Sequence, residues 1–133
     1  MSNITTSNVD LGGVVINGAV YLDDTLTLAA AGTSLEGTLL ARNTSTGKLI
    51  PYVKGGSTNG NGTPVAVLTY ELVAAASGDF PVRVLREGKL SHSRLVIAAD
   101  GDASNVDASV VDLLQQVGLL AIPEQELNIL DNQ

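Results

Sequence analysis

No cysteine and no tryptophan occur in the chain, and phenylalanine and histidine appear once each. Without cysteine there is no disulfide, no thiolate nucleophile and no thiolate metal ligand, and the redox compartment is left open. A single histidine falls short of the three or four His, Cys or carboxylate ligands of a zinc site. Aromatic residues make up 3% of the chain, so rings for stacking on sugars or bases are scarce. Lys and Arg number seven against fourteen acidic residues, a formal charge of −7. Nucleic-acid affinity rests mainly on Lys and Arg neutralising phosphates, and anionic membranes attract the same residues, so neither partner is expected. No apolar run approaches the ~20 residues that span a bilayer. Residues 1–10 (MSNITTSNVD) lack the basic start and apolar centre of a secretory signal, so a soluble protein made in the cytoplasm is expected.

What is present is small and aliphatic. Hydrophobic residues reach 44%, mostly Val, Leu, Ala and Ile, and glycine numbers 14 in 133 residues, above its average share of roughly 7%. That length and composition fit one globular domain. The expected division is a flexible N-terminal arm over residues 1–13 and a single β-rich domain over residues 14–133, including a C-terminal helix and an extended tail.

The period-two patterns start after Gly12-Gly13. Val14-Val15-Ile16, then Ala19-Val20-Tyr21-Leu22, then Thr25-Leu26-Thr27-Leu28 read as strand, punctuated by Gly18 and by Asp23-Asp24. A strand over residues 37–42 and a return strand over residues 48–53 flank a hairpin turn, with Gly47 at a position needing positive φ. Pro51 cannot donate to a ladder, which predicts an edge position for its strand. Residues 55–63 (GGSTNGNGT) read as a flexible surface loop. Strand resumes at Pro64-Val65-Ala66-Val67-Leu68, and residues 80–85 are expected to pair with Lys89-Leu90 across a turn at Glu87-Gly88. Leu95-Val96-Ile97 is a further apolar run. Val106, Val110, Leu113, Leu114 and Val117 follow helical spacing, predicting one α-helix around 105–117. Ser104 with Asp107 suggests its capping box, Gly118 its left-handed end and Pro123 a stop.

No motif carries a reaction. His92 lacks a Gly-x-Ser-x-Gly nucleophile, and its neighbours Ser91 and Ser93 would lie on the opposite face of a strand. Asp100-Gly101-Asp102-Ala103-Ser104 alternates oxygen ligands like a calcium loop, but its twelfth position is Val111 and not Glu. A turn leading into a helix start explains those carboxylates more simply. Gly55 to Gly62 lacks the Gly-Lys-Ser/Thr ending of a phosphate loop. Three Asn-x-Ser/Thr triplets, at Asn3, Asn43 and Asn61, read as chance matches in Asn/Thr-rich stretches. No catalytic residue, cofactor or metal is expected.

The order of segments carries a resemblance. Gly37-Thr38-Leu39-Leu40, the turn to Gly47-Lys48-Leu49, the glycine-rich loop, Pro64 to Leu68, and then residues 82–90 (VRVLREGKL) follow one another closely. This succession resembles the head decoration, or head-stabilising, proteins of lambda-like tailed phages, and residues 110–118 (VVDLLQQVG) resemble that family's helix-then-glycine segment. The resemblance implies a mainly β, β-clip-like domain that assembles as a homotrimer. It implies a virion location, on the outer surface of the expanded icosahedral head, with the major capsid protein as partner. There the trimers would stabilise the head against the pressure of the DNA inside. It further implies an arm that orders on the capsid by strand pairing, and Ile4, Val9, Leu11, Val14, Val15 and Ile16 are the residues that would contribute its apolar contacts. The alternative reading is another phage structural or adhesive β module binding host-surface glycans. A small acidic-residue hydrolase stands third, with little in the sequence to support it.

Overall fold

The computed structural model describes residues 15–123, with side chains from residue 18. It is mainly β, with a single α-helix among the described residues. In chain order the elements are β1 (Val15–Leu28), β2 (Gly32–Ser34), β3 (Leu39–Arg42), β4 (Leu49–Pro51), β5 (Pro64–Leu68), β6 (Leu72–Ala74), β7 (Gly78–Ser91), a 3-10 turn (His92–Arg94), α1 (Ala108–Gln116) and β8 (Leu119–Ile122).

β1 and β7, fourteen residues each, form the spine. They run antiparallel, from Val15 opposite Leu90 to Leu28 opposite Gly78. β1 next pairs in parallel with β4 at Leu26 and Leu49, β4 with β3, β3 with β5, and β5 returns to β7 through Val67–Leu85 and Leu68–Val84. The five strands therefore close into a ring. β8 adds to β7 in parallel beyond β5, with Ala121 beside Leu90. β2 and β6 make a separate two-stranded ribbon.

The period-two pattern fills this ring. Leu26, Leu40, Leu49, Ala66, Leu68, Val82 and Val84, drawn from all five of its strands, are buried together. A second cluster gathers Leu39, Val67, Leu85 and Leu90 under Leu95, Ile97, Val106, Val110 and Leu114. β3, β5 and β7 thus carry adjacent residues into different clusters, as alternation across a strand requires. Each fully buried Leu or Val contributes about 1.5–3 kcal/mol of transfer free energy.

Several sequence expectations are corrected. Asp23 and Asp24 do not interrupt β1, because cations on neighbouring strands take them: Arg42 lies 2.9 Å from Asp24 and Arg83 lies 3.6 Å from Asp23. Glu87-Gly88 is not a turn. β7 runs straight through it, and Gly88 aligns with Leu119 of β8 while β1 shifts register around Asn17 and Val20. Pro51 does not mark an edge, since β4 sits between β3 and β1; it is the last residue of that strand, past the single β1 pairing at Leu49. The helix starts at Ala108 and its cap is Asp107, whose carboxylate accepts the Ser109 and Val110 amides. Ser104 instead donates its amide to Asp102. Gly47 and Gly118 do take positive φ, +77° and +90°.

The glycine-rich loop lies at the surface as expected, yet it is folded on itself. Val53 donates its amide to Asn61 O, Gly56 to Val53 O and Thr63 to Gly60 O. The turn after β3 closes onto it, with Thr44 N donating to Asn59 O. A β-carbon at Gly62 would stand 2.0 Å from the Gly56 carbonyl oxygen. Gly62→Ala is therefore expected to destabilise the protein by about 1–3 kcal/mol, the cost of overpacking against immovable atoms. Urea unfolding checks this, with the exposed Ser57→Ala as a control in the same loop; equal midpoints for the two variants would contradict the packed-loop description.

Candidate functional site

Reactive chemistry has little to work with. His92 is half-buried in the 3-10 turn, and its Nε2 donates to the Val106 carbonyl at 2.7 Å. The ring therefore ties the 3-10 turn to the approach of α1. Ser91 and Ser93 face each other at 3.5 Å. Among the described residues no group of three His, Cys, Asp or Glu side chains is placed to hold a metal, and no helix is long and apolar enough to cross a membrane.

Asp100 and Asp102 hold a turn, and Asp107 caps α1. Asp100 accepts from the Asn105 amide side chain at 2.9 Å, and Asp102 is held below the ordinary aspartate range by the Ser104 side-chain and backbone donors. A shallow depression of about 570 Å³ is lined by Val53, Lys54, Ile97, Ala99, Asp100 and Asn105. Its charged groups are already engaged: Lys54 Nζ reaches Asp107 at 2.7 Å, and Asp100 holds Asn105. Tyr52 lies buried next to this clasp, and burial pushes its phenol up, with Lys54 opposing and Asp107 adding to the shift.

The surface that lacks an internal explanation is apolar. Val20, Tyr21 and Leu22 are consecutive on β1 and all three are exposed. Neighbouring residues on a strand point to opposite faces, so both faces of β1 are open at this point. Its outer edge is open too: β4 reaches β1 only at Leu26, and no other strand among the described residues pairs there. Leu22 aligns with the fully buried Val84, yet it is 49% exposed because the ring closes further along, at Leu26. The Arg83 guanidinium stands 5.6 Å from the Tyr21 ring centre, covering part of it. On the other side of β7, β8 is the last strand of the sheet and Leu120 is 40% exposed. A second exposed group, Leu35, Tyr70 and Val73, lies on and beside the β2–β6 ribbon.

A strand edge of this kind is suited to pairing with an extended polypeptide: no strand among the described residues takes its backbone groups beyond Leu26, and apolar side chains stand exposed on either side. Of the residues expected to bind through an arm, Val15 and Ile16 begin β1, on this open edge. Ile4, Val9, Leu11 and Val14 lie outside the described residues, as does the expected arm over residues 1–13. Sequence reasoning does not single out the exposed Val20 to Leu22 stretch as a binding surface. Period-two alternation does not tell a strand that finds a second neighbour from one that does not.

Residues 4–119 match the family model of bacteriophage lambda head decoration protein D. No curated protein matches the chain.

The Lys54–Asp107 clasp makes a pH prediction. The Lys54 hydrogen bond, followed by those from Ser109 and Val110, holds the Asp107 carboxyl far below its ordinary value of 3.8. A carboxyl lowered on folding stabilises the protein above its unfolded pKa, and the contribution is lost as pH falls through the folded value. Asp107→Asn is therefore expected to be less stable than the parent at neutral pH, with the gap narrowing as pH drops below about 3.8. Thermal unfolding across that range checks it; a gap independent of pH would mean that the ion pair contributes nothing.

Proposed function

The chain belongs to the bacteriophage lambda head decoration protein D family, and from that membership we propose that it decorates the outside of a phage head. In this reading it binds the expanded icosahedral shell as homotrimers, with the major capsid protein as partner. It bridges neighbouring capsomers and so holds the shell against the pressure of packaged DNA. Its role is structural, without catalysis or cofactor.

The observation that carries the proposal is the family match over residues 4–119. The structure supports it with a surface suited to strand pairing, the open edge of β1, which is apolar on both faces. Several polar side chains elsewhere are engaged in caps, turns and ion pairs. The formal charge of −7 suits a protein that must stay soluble at high copy number before it reaches its lattice.

The arm, residues 1–13, belongs to the same proposal. It leads directly into β1, so an arm paired with the capsid would pull on the spine of the fold. Ordering it costs roughly 1–2 kcal/mol of backbone entropy per residue. Strand pairing and burial of Ile4, Val9, Leu11, Val14, Val15 and Ile16 would offset that cost. A single arm could bind weakly, while three on one trimer would raise the overall affinity ~10²–10⁴-fold.

Co-sedimentation with expanded, undecorated heads of the source phage tests this, with unexpanded shells as control. Saturable binding to expanded heads is expected, and deletion of residues 1–11 should leave a folded protein that no longer holds the shell. Undiminished binding after that deletion would remove the arm from the mechanism. Failure of the intact protein to bind heads, with binding to host-surface glycans instead, would replace decoration with adhesion.

A further inference from the structure

The chain contains three Asn-Gly pairs, at Asn17, Asn59 and Asn61. Asparagine before glycine readily loses ammonia, because no β-carbon on the following residue keeps its backbone nitrogen away from the carboxamide. Asn17 aligns with Lys89 in the β1–β7 ladder. The other two stand almost side by side in the glycine-rich loop, and the fold treats them differently.

Asn59 and Gly60 are the central residues of a turn closed by the Asn61 amide, which donates to Thr58 O at 3.0 Å. Their φ values are +51° and +82°. A type I′ turn needs positive φ at both central positions, and Asn-Gly meets that need with little strain. Turn geometry thus accounts for the presence of the pair. It also leaves Asn59 at the surface, where its carboxamide oxygen accepts from the Ser45 hydroxyl at 3.2 Å, an exposed bond that water can replace. Gly60 is more closely held, since a β-carbon there would stand 2.7 Å from Arg42 O and 2.9 Å from Thr44 Cγ2. Reaction at Asn59 is therefore slower in the folded protein than in the unfolded chain.

Asn61 is half-buried and built into the loop. Its backbone carbonyl accepts the Val53 amide at 2.8 Å, and its carboxamide oxygen accepts the Thr58 amide at 3.2 Å. That oxygen lies directly against Gly56, where an added β-carbon would stand 2.2 Å from it. Gly62, whose nitrogen would have to attack, is packed on the Gly56 carbonyl in turn. Turning the Asn61 carboxamide toward that nitrogen requires opening the loop.

We propose that Asn59 is a site of spontaneous modification, deamidating in the folded protein while Asn61, two residues away, is protected. The Gly60 backbone nitrogen attacks Asn59 Cγ, and a Cγ–N bond forms as the Cγ–Nδ2 bond breaks. The proton from the Gly60 nitrogen leaves with Nδ2 as ammonia, by way of water, and a five-membered succinimide remains. Water then opens the ring. Addition at Cγ gives aspartate, and addition at the former backbone carbonyl gives isoaspartate, in which the main chain runs through Cβ. Either product adds a negative charge to the loop. Isoaspartate also lengthens the main chain inside the turn, and the Thr44 N to Asn59 O bond that closes the neighbouring turn onto the loop is lost. On the decoration reading, subunits are not replaced once the shell is covered, so the change accumulates with the age of the particle.

Peptide mapping by mass spectrometry tests this on the full-length protein without needing the heads. The chain is incubated folded at mildly alkaline pH, and a second sample is incubated in urea. In the folded sample Asn59 is expected to convert at least roughly tenfold faster than Asn61, because reaction at Asn61 must first break the Val53 and Thr58 bonds. In urea the two rates should converge. Gly56→Ala, which displaces the Asn61 carboxamide, should raise the rate at Asn61 toward that at Asn59. Equal rates at the two positions in the folded parent would overturn the inference, as would faster conversion of Asn61 or an Asn59 that stays intact while the urea sample converts.

Discussion

The structure depends on β7 having neighbours along both of its edges. Over residues 78–90 one edge is taken by β1, and the other is shared between β5 near Val84 and Leu85 and β8 from Gly88 onward. A strand buried this way must find partners for its amides and carbonyls on both sides, since an unpaired buried backbone group costs as much as a lost hydrogen bond. Satisfying β7 obliges β1 to be equally long. It also fixes where β5 ends and β8 begins, and it sets the end of the molecule from which both terminal segments leave. Gly88 sits at the changeover, bonding the Gly118 carbonyl just where the β1 register slips.

From that constraint the division into two cores follows. The ring closes around Leu26, Leu40, Leu49, Leu68 and Val84, while the opposite face of β3, β5 and β7 must be covered by something else. α1 and the segment around Leu95 to Ile97 provide that cover. The segment is held by backbone bonds, Leu39 N to Val96 O and Val96 N to Gly37 O, and the His92–Val106 bond ties its start to the helix approach. The Lys54–Asp107 pair fastens the same helix to the glycine-rich loop. It is an exposed pair, so its importance lies in where it holds the chain more than in its strength.

What could be read from the sequence was what depends on local chemistry. Alternation revealed the strands at Thr25 to Leu28 and Pro64 to Leu68, helical spacing revealed α1, and Gly47 and Gly118 marked positive φ. Most departures from that pattern share a cause, which is that strand pairing is decided by distant residues. Glu87-Gly88 has good turn chemistry, but β1 and β8 hold that stretch extended. Asp23-Asp24 looks like a break until Arg42 and Arg83 arrive from other strands. The helix cap is a local exception: Asp107 takes it by accepting the Ser109 and Val110 amides, while Ser104 donates to Asp102. The open edge at Val20 to Leu22 was illegible because it too depends on strand pairing, being defined by a neighbour that β4 is too short to provide.

That edge also bears on how such a protein survives before assembly. Strand edges in monomeric proteins are usually blunted by charge, proline or a bulge, because a flat apolar edge recruits other chains. β1 has some of this protection. The register slips between Asn17 and Tyr21, and Asp23 follows immediately with its side chain 83% exposed. Yet Asp23 and Asp24 are each paired with an arginine, which weakens them as repellents, and Val20, Tyr21 and Leu22 stay uncovered. Only a modest local guard remains, so protection against indiscriminate association falls to the net charge of the whole chain. Such protection is long-ranged and salt-sensitive, whereas covering the edge with a fitted strand is short-ranged and geometric. The two can therefore coexist: long-range repulsion limits indiscriminate association, while a strand of matching shape can still pair at contact.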